Sequence, residues 1–257
     1  MTSAQRLRSV DVAERLAAMA AVIQPGGCAD ADTLEALAAC LGDARKIIQR
    51  RAAETFAALG AQGTNVRDVL LHTLESDVTK QRWGAAYALS LLGDAPPVAL
   101  PTLLEALGSD DGDVRWAAGN ILARLRGDTA LVDALQQLLG TGSPAQRKMA
   151  AYCLRDLDAR SHGVERALFA ALHDPDTYVR LAVVSAIARL AIDRATAAQG
   201  LIELLADPDA SVRRVAAAVL GLLRERSDAV RAALTGASQS ADASLARAAE
   251  RSLRLLA

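Results

Sequence analysis

Apolar residues recur along this chain at steps of three and four, in blocks that come two by two. The first block of each couple carries Leu or Val in a single stripe: Leu34, Leu37, Leu41; Val66, Val69, Leu70, Leu74; Leu100, Leu103, Leu107; Leu131, Leu135, Leu138; Leu201, Leu204, Leu205. That spacing predicts an amphipathic helix rather than a strand. The second block is denser and repeats in register: QRWGAAYALSLL (81–92), VRWAAGNILARL (114–125), QRKMAAYCLRDL (146–157), VRLAVVSAIARL (179–190) and VRRVAAAVLGLL (212–223). An Arg column runs through these segments at Arg82, Arg115, Arg147, Arg180 and Arg213, at spacings of 33, 32, 33 and 33. The same register reaches IQRRAAETFAAL (48–59), with Gln49 in the Arg place, and LARAAERSLRLL (245–256), with Ala246 there.

Turn chemistry separates the two blocks. HDPDTY (173–178) and ADPDAS (206–211) are the clearest versions, SDDGD (109–113) and TGSPAQ (141–146) looser ones. Asp176 and Asp209 are placed to cap the following helix through a side-chain oxygen, while Pro175 and Pro208 stop the preceding one from running on. On this reading none of the seven prolines falls within a second helix. A self-similar unit near 33 residues means a stacked array. The pattern predicts an all-α solenoid of about seven antiparallel helix pairs: 30–60, 64–94, 98–127, 129–159, 162–192, 195–225 and 227–257. Residues 1–25 form an N-terminal capping helix or half-repeat, and the whole is one domain over 1–257.

The line Asp-Pro-Asp-x-x-Val-Arg-x-x-Ala-Ala resembles the short HEAT-like repeats first associated with phycobilisome lyases. Asp174-Pro175-Asp176 with Val179-Arg180, and Asp207-Pro208-Asp209 with Val212-Arg213, carry the likeness best. The ankyrin and tetratricopeptide signatures are absent. The resemblance implies a superhelix whose second helices line the concave surface. It also implies a structural ladder in which Arg82, Arg115, Arg147, Arg180 and Arg213, with Asp176 and Asp209, tie the turns of neighbouring units. It covers about 30–257 and says little about function, because this repeat serves many tasks.

Counting from the Arg place, positions two, three, six, seven and ten are small or apolar and form the packed side. Position ten is Leu in all seven units, from Leu59 to Leu256. Positions one, five and eight share the opposite face. They read Arg50, Glu54, Ala57; Trp83, Tyr87, Ser90; Trp116, Asn120, Ala123; Lys148, Tyr152, Arg155; Leu181, Ser185, Ala188; Arg214, Ala218, Gly221; and Arg247, Arg251, Arg254. Four of the chain's seven aromatic residues and seven basic residues lie on this strip, against the single acid Glu54. Flat rings beside guanidinium groups can stack a planar group and neutralise an anion. The candidate groove is therefore Trp83, Tyr87, Trp116, Asn120, Lys148, Tyr152, Arg155 and Arg214, with Trp83 and Trp116 expected on adjacent helices. The competing reading is a solvated or partly buried structural face.

Composition narrows the classes. The 26 Arg against Lys46, Lys80 and Lys148 read, with the abundant Ala, as a GC-rich coding bias, and a formal charge of −1 gives no global reason for a nucleic-acid or membrane partner. Cys28, Cys40 and Cys153 form no CxxC pair, which fits a reducing compartment. LAAMAAVI (16–23) ahead of Gly-Gly-Cys28 could be read as a lipoprotein-like leader, but Asp11 and Glu14 interrupt its approach. A cytoplasmic location is expected.

Signals for chemistry are poor. His72, His162 and His173 sit in no HExxH, nor in the repeated His-Glu pairs of deoxyhypusine hydroxylase. Nucleophile elbows and phosphate-binding loops are absent, and Cys153 falls on the packed side. No catalytic residue, metal or cofactor is assigned. One enzymatic reading is an alkylpurine DNA glycosylase on HEAT-like repeats, which uses Trp residues and a carboxylate. Here Asn120 stands where the acid would help most, and an amide cannot stabilise a developing cation. The strip would also suit nucleic-acid binding without catalysis, or a bilin lyase or chaperone that holds a flat acidic tetrapyrrole. The preferred reading is a non-catalytic scaffold or adaptor binding an acidic or aromatic-containing protein segment.

Overall fold

The computed structural model describes all residues except Cys28, Asp94 and Ile192. The fold is all-helical, and among the described residues there are sixteen α-helices and no strand. The lipoprotein-like reading of Cys28 falls outside the described residues.

The chain divides into two compact units, Met1–Ala106 and Leu107–Ala257. The first contains α1 (Ser3–Leu7), α2 (Val12–Val22), α3 (Ala31–Cys40), α4 (Lys46–Ala61), α5 (Arg67–Thr73), α6 (Thr79–Leu91) and α7 (Leu100–Ala106). Odd-numbered helices pack on odd and even on even, α1 on α3 on α5 and α2 on α4 on α6, which gives two layers. The N-terminal segment contributes a complete pair. Asp11 caps α2 by accepting from the Ala13 N–H, four residues before Arg15, as Asp176 stands four residues before Arg180. Leu37, Phe56, Leu70, Leu89 and Leu103 are fully buried between the layers.

The second unit contains α8 (Gly112–Leu122), α9 (Thr129–Thr141), α10 (Pro144–Asp156), α11 (His162–Ala170), α12 (Thr177–Leu190), α13 (Arg194–Glu203), α14 (Ala210–Leu223), α15 (Asp228–Ser238) and α16 (Ala243–Leu256). Its even helices pack in order, α8 on α10, α12, α14 and α16. Short connections make consecutive helices antiparallel. Pro144 corrects the expectation for the prolines, since it opens α10, a second helix. It stands in the first turn after the N-cap Ser143, where a missing N–H costs nothing.

Small side chains set how closely the helices approach. A Cβ on Gly84 of α6 would lie 2.7 Å from Leu41 Cβ, at the end of α3, and 2.9 Å from its carbonyl oxygen, and one on Gly221 of α14 would lie 2.6 Å from Ser252 Cβ on α16. Ala52, Ala85, Ala118, Ala150 and Ala216, at position three of their repeats, are fully buried. Part of the alanine content thus has a packing reason. Position seven from the Arg place is buried from Phe56 to Leu220, whereas Leu92 and Leu125 at position ten are half-buried.

Candidate partner-binding surface

The Arg column makes a repeated contact at the turns. Arg180 donates through Nη1 to the Asp174 carbonyl at 2.8 Å, and through Nε and Nη2 to both oxygens of Asp207, one repeat on, at 2.8 and 2.9 Å. Arg147 makes the same fork with Asp174, at 2.6 and 2.8 Å, and bonds the Gly142 carbonyl. Arg213 bonds Asp242 at 3.0 Å and the Asp207 carbonyl at 2.9 Å. Arg82 reaches the Ser76 carbonyl and both oxygens of Glu105 at 2.9 Å, and Arg115 reaches the Ser109 carbonyl. Gln49 keeps only the backbone contact, to the Asp43 carbonyl. Arg15 makes the first rung, with Asp43 and, at 3.1 Å, the Cys40 sulfur.

The two aspartates of each Asp-Pro-Asp turn divide the work. Asp176 and Asp209 accept backbone N–H groups of the helix they cap, Tyr178 and Val179 in one case, Ser211 and Val212 in the other. The carboxylates that receive the preceding Arg are Asp174 and Asp207. This differs from the assignment of Asp176 and Asp209 to the ladder. Asp174 is pushed up by burial, but the fork from Arg147, the Asp176 N–H and the charges of Arg147 and Arg180 outweigh this and hold its pKa low.

The solvent face of the second unit carries a different cluster. Trp116, on α8, is 52% exposed and stacks on Tyr152 of α10, with ring centroids 5.8 Å apart and planes at 19°. The Arg155 guanidinium lies over the Tyr152 ring at 4.8 Å. Its Nε bonds Asp156, and its Nη1 donates to Ser185 Oγ on α12 at 2.9 Å. Lys148 Nζ stands 5.9 Å from the centre of the Tyr178 ring, itself 68% exposed. Asn120 is exposed one turn beyond Trp116, and Arg214 is exposed on α14. Among the described residues, Lys148, Arg214, Arg247 and Arg254 have no carboxylate within ion-pair reach.

Trp83 and Tyr87 belong to the first unit. Both are half-buried, and their rings stack at 5.7 Å and 29° one helical turn apart on α6. Each Trp therefore has a Tyr as its stacking partner. On α4 the same face offers Arg50 and Glu54, and Glu54 is paired with Arg51.

Three residues of the second unit's surface lay outside the predicted strip: Tyr178, Leu222 and Leu255. The signal for Tyr178 was its place three residues before Leu181, on the same helical face. Leu222, 63% exposed, and Leu255, 47% exposed, stand eight residues after Arg214 and Arg247, which is also the same face. Leu at such a position reads as core until the burial of its neighbours is known.

Cys153 is buried, and burial beside Asp156 pushes its thiol up to about 12 against the opposing charge of Arg155. His72, His162 and His173 are exposed, each near one glutamate, and of these glutamates Glu165 is buried. Among the described residues no three His, Cys, Asp or Glu side chains converge as a metal site, and no helix is long and apolar enough to cross a membrane.

Residues 33–119, 100–163 and 165–254 match the family of HEAT repeats. No curated protein matches the chain. Among solved structures it is similar to an engineered protein at 23% identity (TM-score 0.51, covering 99% of this chain and 77% of that one). It is similar to Escherichia coli YibA at 15% identity (TM-score 0.60, 99% and 90%). It is also similar at 15% identity to Kap95p, from a structure concerned with Kap95p binding to RanGDP (TM-score 0.62, 99% of this chain and 40% of that one). At these identities the likeness is one of fold.

Proposed function

Because the chain belongs to the HEAT-repeat family, we propose that it is a non-catalytic protein-interaction scaffold whose second unit holds an acidic, aromatic-containing segment of a partner protein. One observation carries this reading. Trp116 keeps half its surface in water while stacked on Tyr152, which is itself covered by Arg155. Large rings held rigid at a surface give contact area at low entropic cost, and Trp, Tyr and Arg dominate binding hot spots. The guanidinium and the nearby Lys148 ammonium select an anionic partner. Asn120 offers an amide to the backbone of an extended segment. Kap95p, of similar fold, is described binding RanGDP, so this architecture serves protein partners in at least that case.

The test is fluorescence polarisation with a labelled peptide of about 18 residues, rich in Asp and Glu and carrying two Phe, titrated against the full chain. Duplex and single-stranded oligonucleotides of the same length and a bilin run in parallel. The expected result is salt-sensitive micromolar binding of the peptide, weakened at least tenfold by Trp116→Ala with unchanged helical circular dichroism. Preferential binding of the oligonucleotides, with affinity falling steeply with salt, would replace this reading by a nucleic-acid one. A bilin absorbance shift without peptide binding would replace it by a chromophore-carrier one.

A further inference from the structure

We infer that the partner segment is gripped at two separated points on the second unit, an aromatic residue at α8–α10 and a cluster of acidic residues with one bulky apolar side chain at α14–α16; this rests on the reading just given. The even helices of this unit stack in order, so rung order is ligand order. The first two rungs hold the aromatic step. The rung on α12 is neutral, presenting half-buried Leu181, Ser185 already bonded to Arg155, and Ala188. Beyond it the strip positions carry only cations, with one acid, Glu250, exposed beside them on α16. α14 repeats Arg214, Ala218, Leu222 at four-residue steps, and α16 repeats Arg247, Arg251, Leu255 in the same register. All six are exposed, and the two leucines project into water beside the cations.

An exposed Leu at equivalent places on two neighbouring helices, each in line with Arg, fits a partner surface of opposite chemistry. Carboxylates would pair with the guanidinium groups while one apolar side chain covers Leu222 and Leu255. A uniform polyanion such as duplex DNA fits poorly, because it offers nothing for the leucines.

The spacing follows from helix packing. Neighbouring helix axes lie roughly 8–10 Å apart, so three steps from α8 to α14 span about 24–30 Å. An extended segment advances about 3.3 Å per residue, which separates the two anchors by about 7–9 residues.

The experiment compares three labelled peptides of identical composition on the full chain. In one, the Phe stands eight residues from an Asp-Glu-Leu-Glu-Asp cluster. In the second the two are adjacent, and in the third the acids are spread evenly. The spaced peptide is expected to bind at least tenfold tighter than either. Arg214→Glu with Arg251→Glu, both exposed, is expected to erase that advantage and leave the affinity of the adjacent peptide near its own value. Equal binding of all three peptides would overturn the two-point grip while leaving the scaffold reading intact. No binding by any of them would overturn both.

Discussion

The ladder makes a quantitative prediction at Arg180. Its side chain is buried, forked onto both oxygens of Asp207, and bonded to the carbonyls of Asp174 and Pro175. Arg180→Met keeps the length of the stem and removes every donor. Asp207, also buried, then keeps only the Asp209 N–H. Removing one partner of a buried pair leaves an uncompensated charge and costs about 3–5 kcal/mol. The comparison is Arg82→Met. Arg82 has the same backbone contact, but it reaches both oxygens of Glu105 through Nη2 alone, and Glu105 is half in water. A solvated pair is worth about 0–1 kcal/mol and the backbone bond about 1, so the loss is about 1–2 kcal/mol. Urea denaturation is followed by tryptophan emission. A Trp83→Phe background leaves Trp116 to report the second unit, and the reverse background reports the first. Asp207→Leu added to Arg180→Met should recover part of the loss, giving a coupling of at least about 1.5 kcal/mol. Equal losses for Arg180→Met and Arg82→Met, or additive effects in the double variant, would refute the view that burial decides what a rung contributes.

Three further outcomes are expected. Arg224 ends α14 in the left-handed conformation, φ 54°, where Gly93 stands at the same register of an earlier repeat, φ 84°; Arg224→Gly should raise stability by about 1 kcal/mol in urea titration. Gly84→Ala drives a methyl against Leu41 side chain and backbone, so it should cost about 1–3 kcal/mol and lower the melting temperature. Asp242 is held down to about 2 by the Ser244 hydroxyl, the Leu245 N–H and the single bond from Arg213, so its stabilising effect is complete above the ordinary carboxylate value near 3.9 and is lost as pH falls towards 2; Asp242→Asn should flatten the stability profile in that window, seen in melting temperature against pH.

The sequence exposed what packing constrains. A side chain facing another helix must be small or apolar at a fixed place in every repeat, so periodicity reads it directly. This is why the helix pairs, the buried Phe56 and the interior Cys153 were legible. The turn caps were legible too, because a helix start leaves N–H groups that a short acid satisfies best. What escaped was set by three-dimensional neighbours. Nothing local distinguishes Asp174 from Asp176, since both flank the same proline. Only the arrival of Arg147 from the preceding repeat gives Asp174 its task. Trp83 likewise finds Tyr87 on its own helix, while Trp116 finds Tyr152 on the next but one in chain order. A repeat alignment treats the two tryptophans as equivalent, and their ring contacts are not.

The exposed face obeys a different rule. There, no packing demand repeats from unit to unit, so each departure from a plain solvated surface calls for its own reason. Arg alone supplies none, because it is abundant and dissolves well anywhere. Leu222 and Leu255 are more telling, since burying the part of either side chain still in water would gain about 1 kcal/mol and nothing within the second unit collects that gain. Trp116 makes the same point with a larger surface. These three side chains share one unit with the basic rungs of α14 and α16, and no similar run of basic rungs accompanies Trp83. An apolar residue kept in water beside cations is explained by a ligand that carries both opposite features, and that is the argument for an acidic, apolar-bearing protein segment over a simple polyanion.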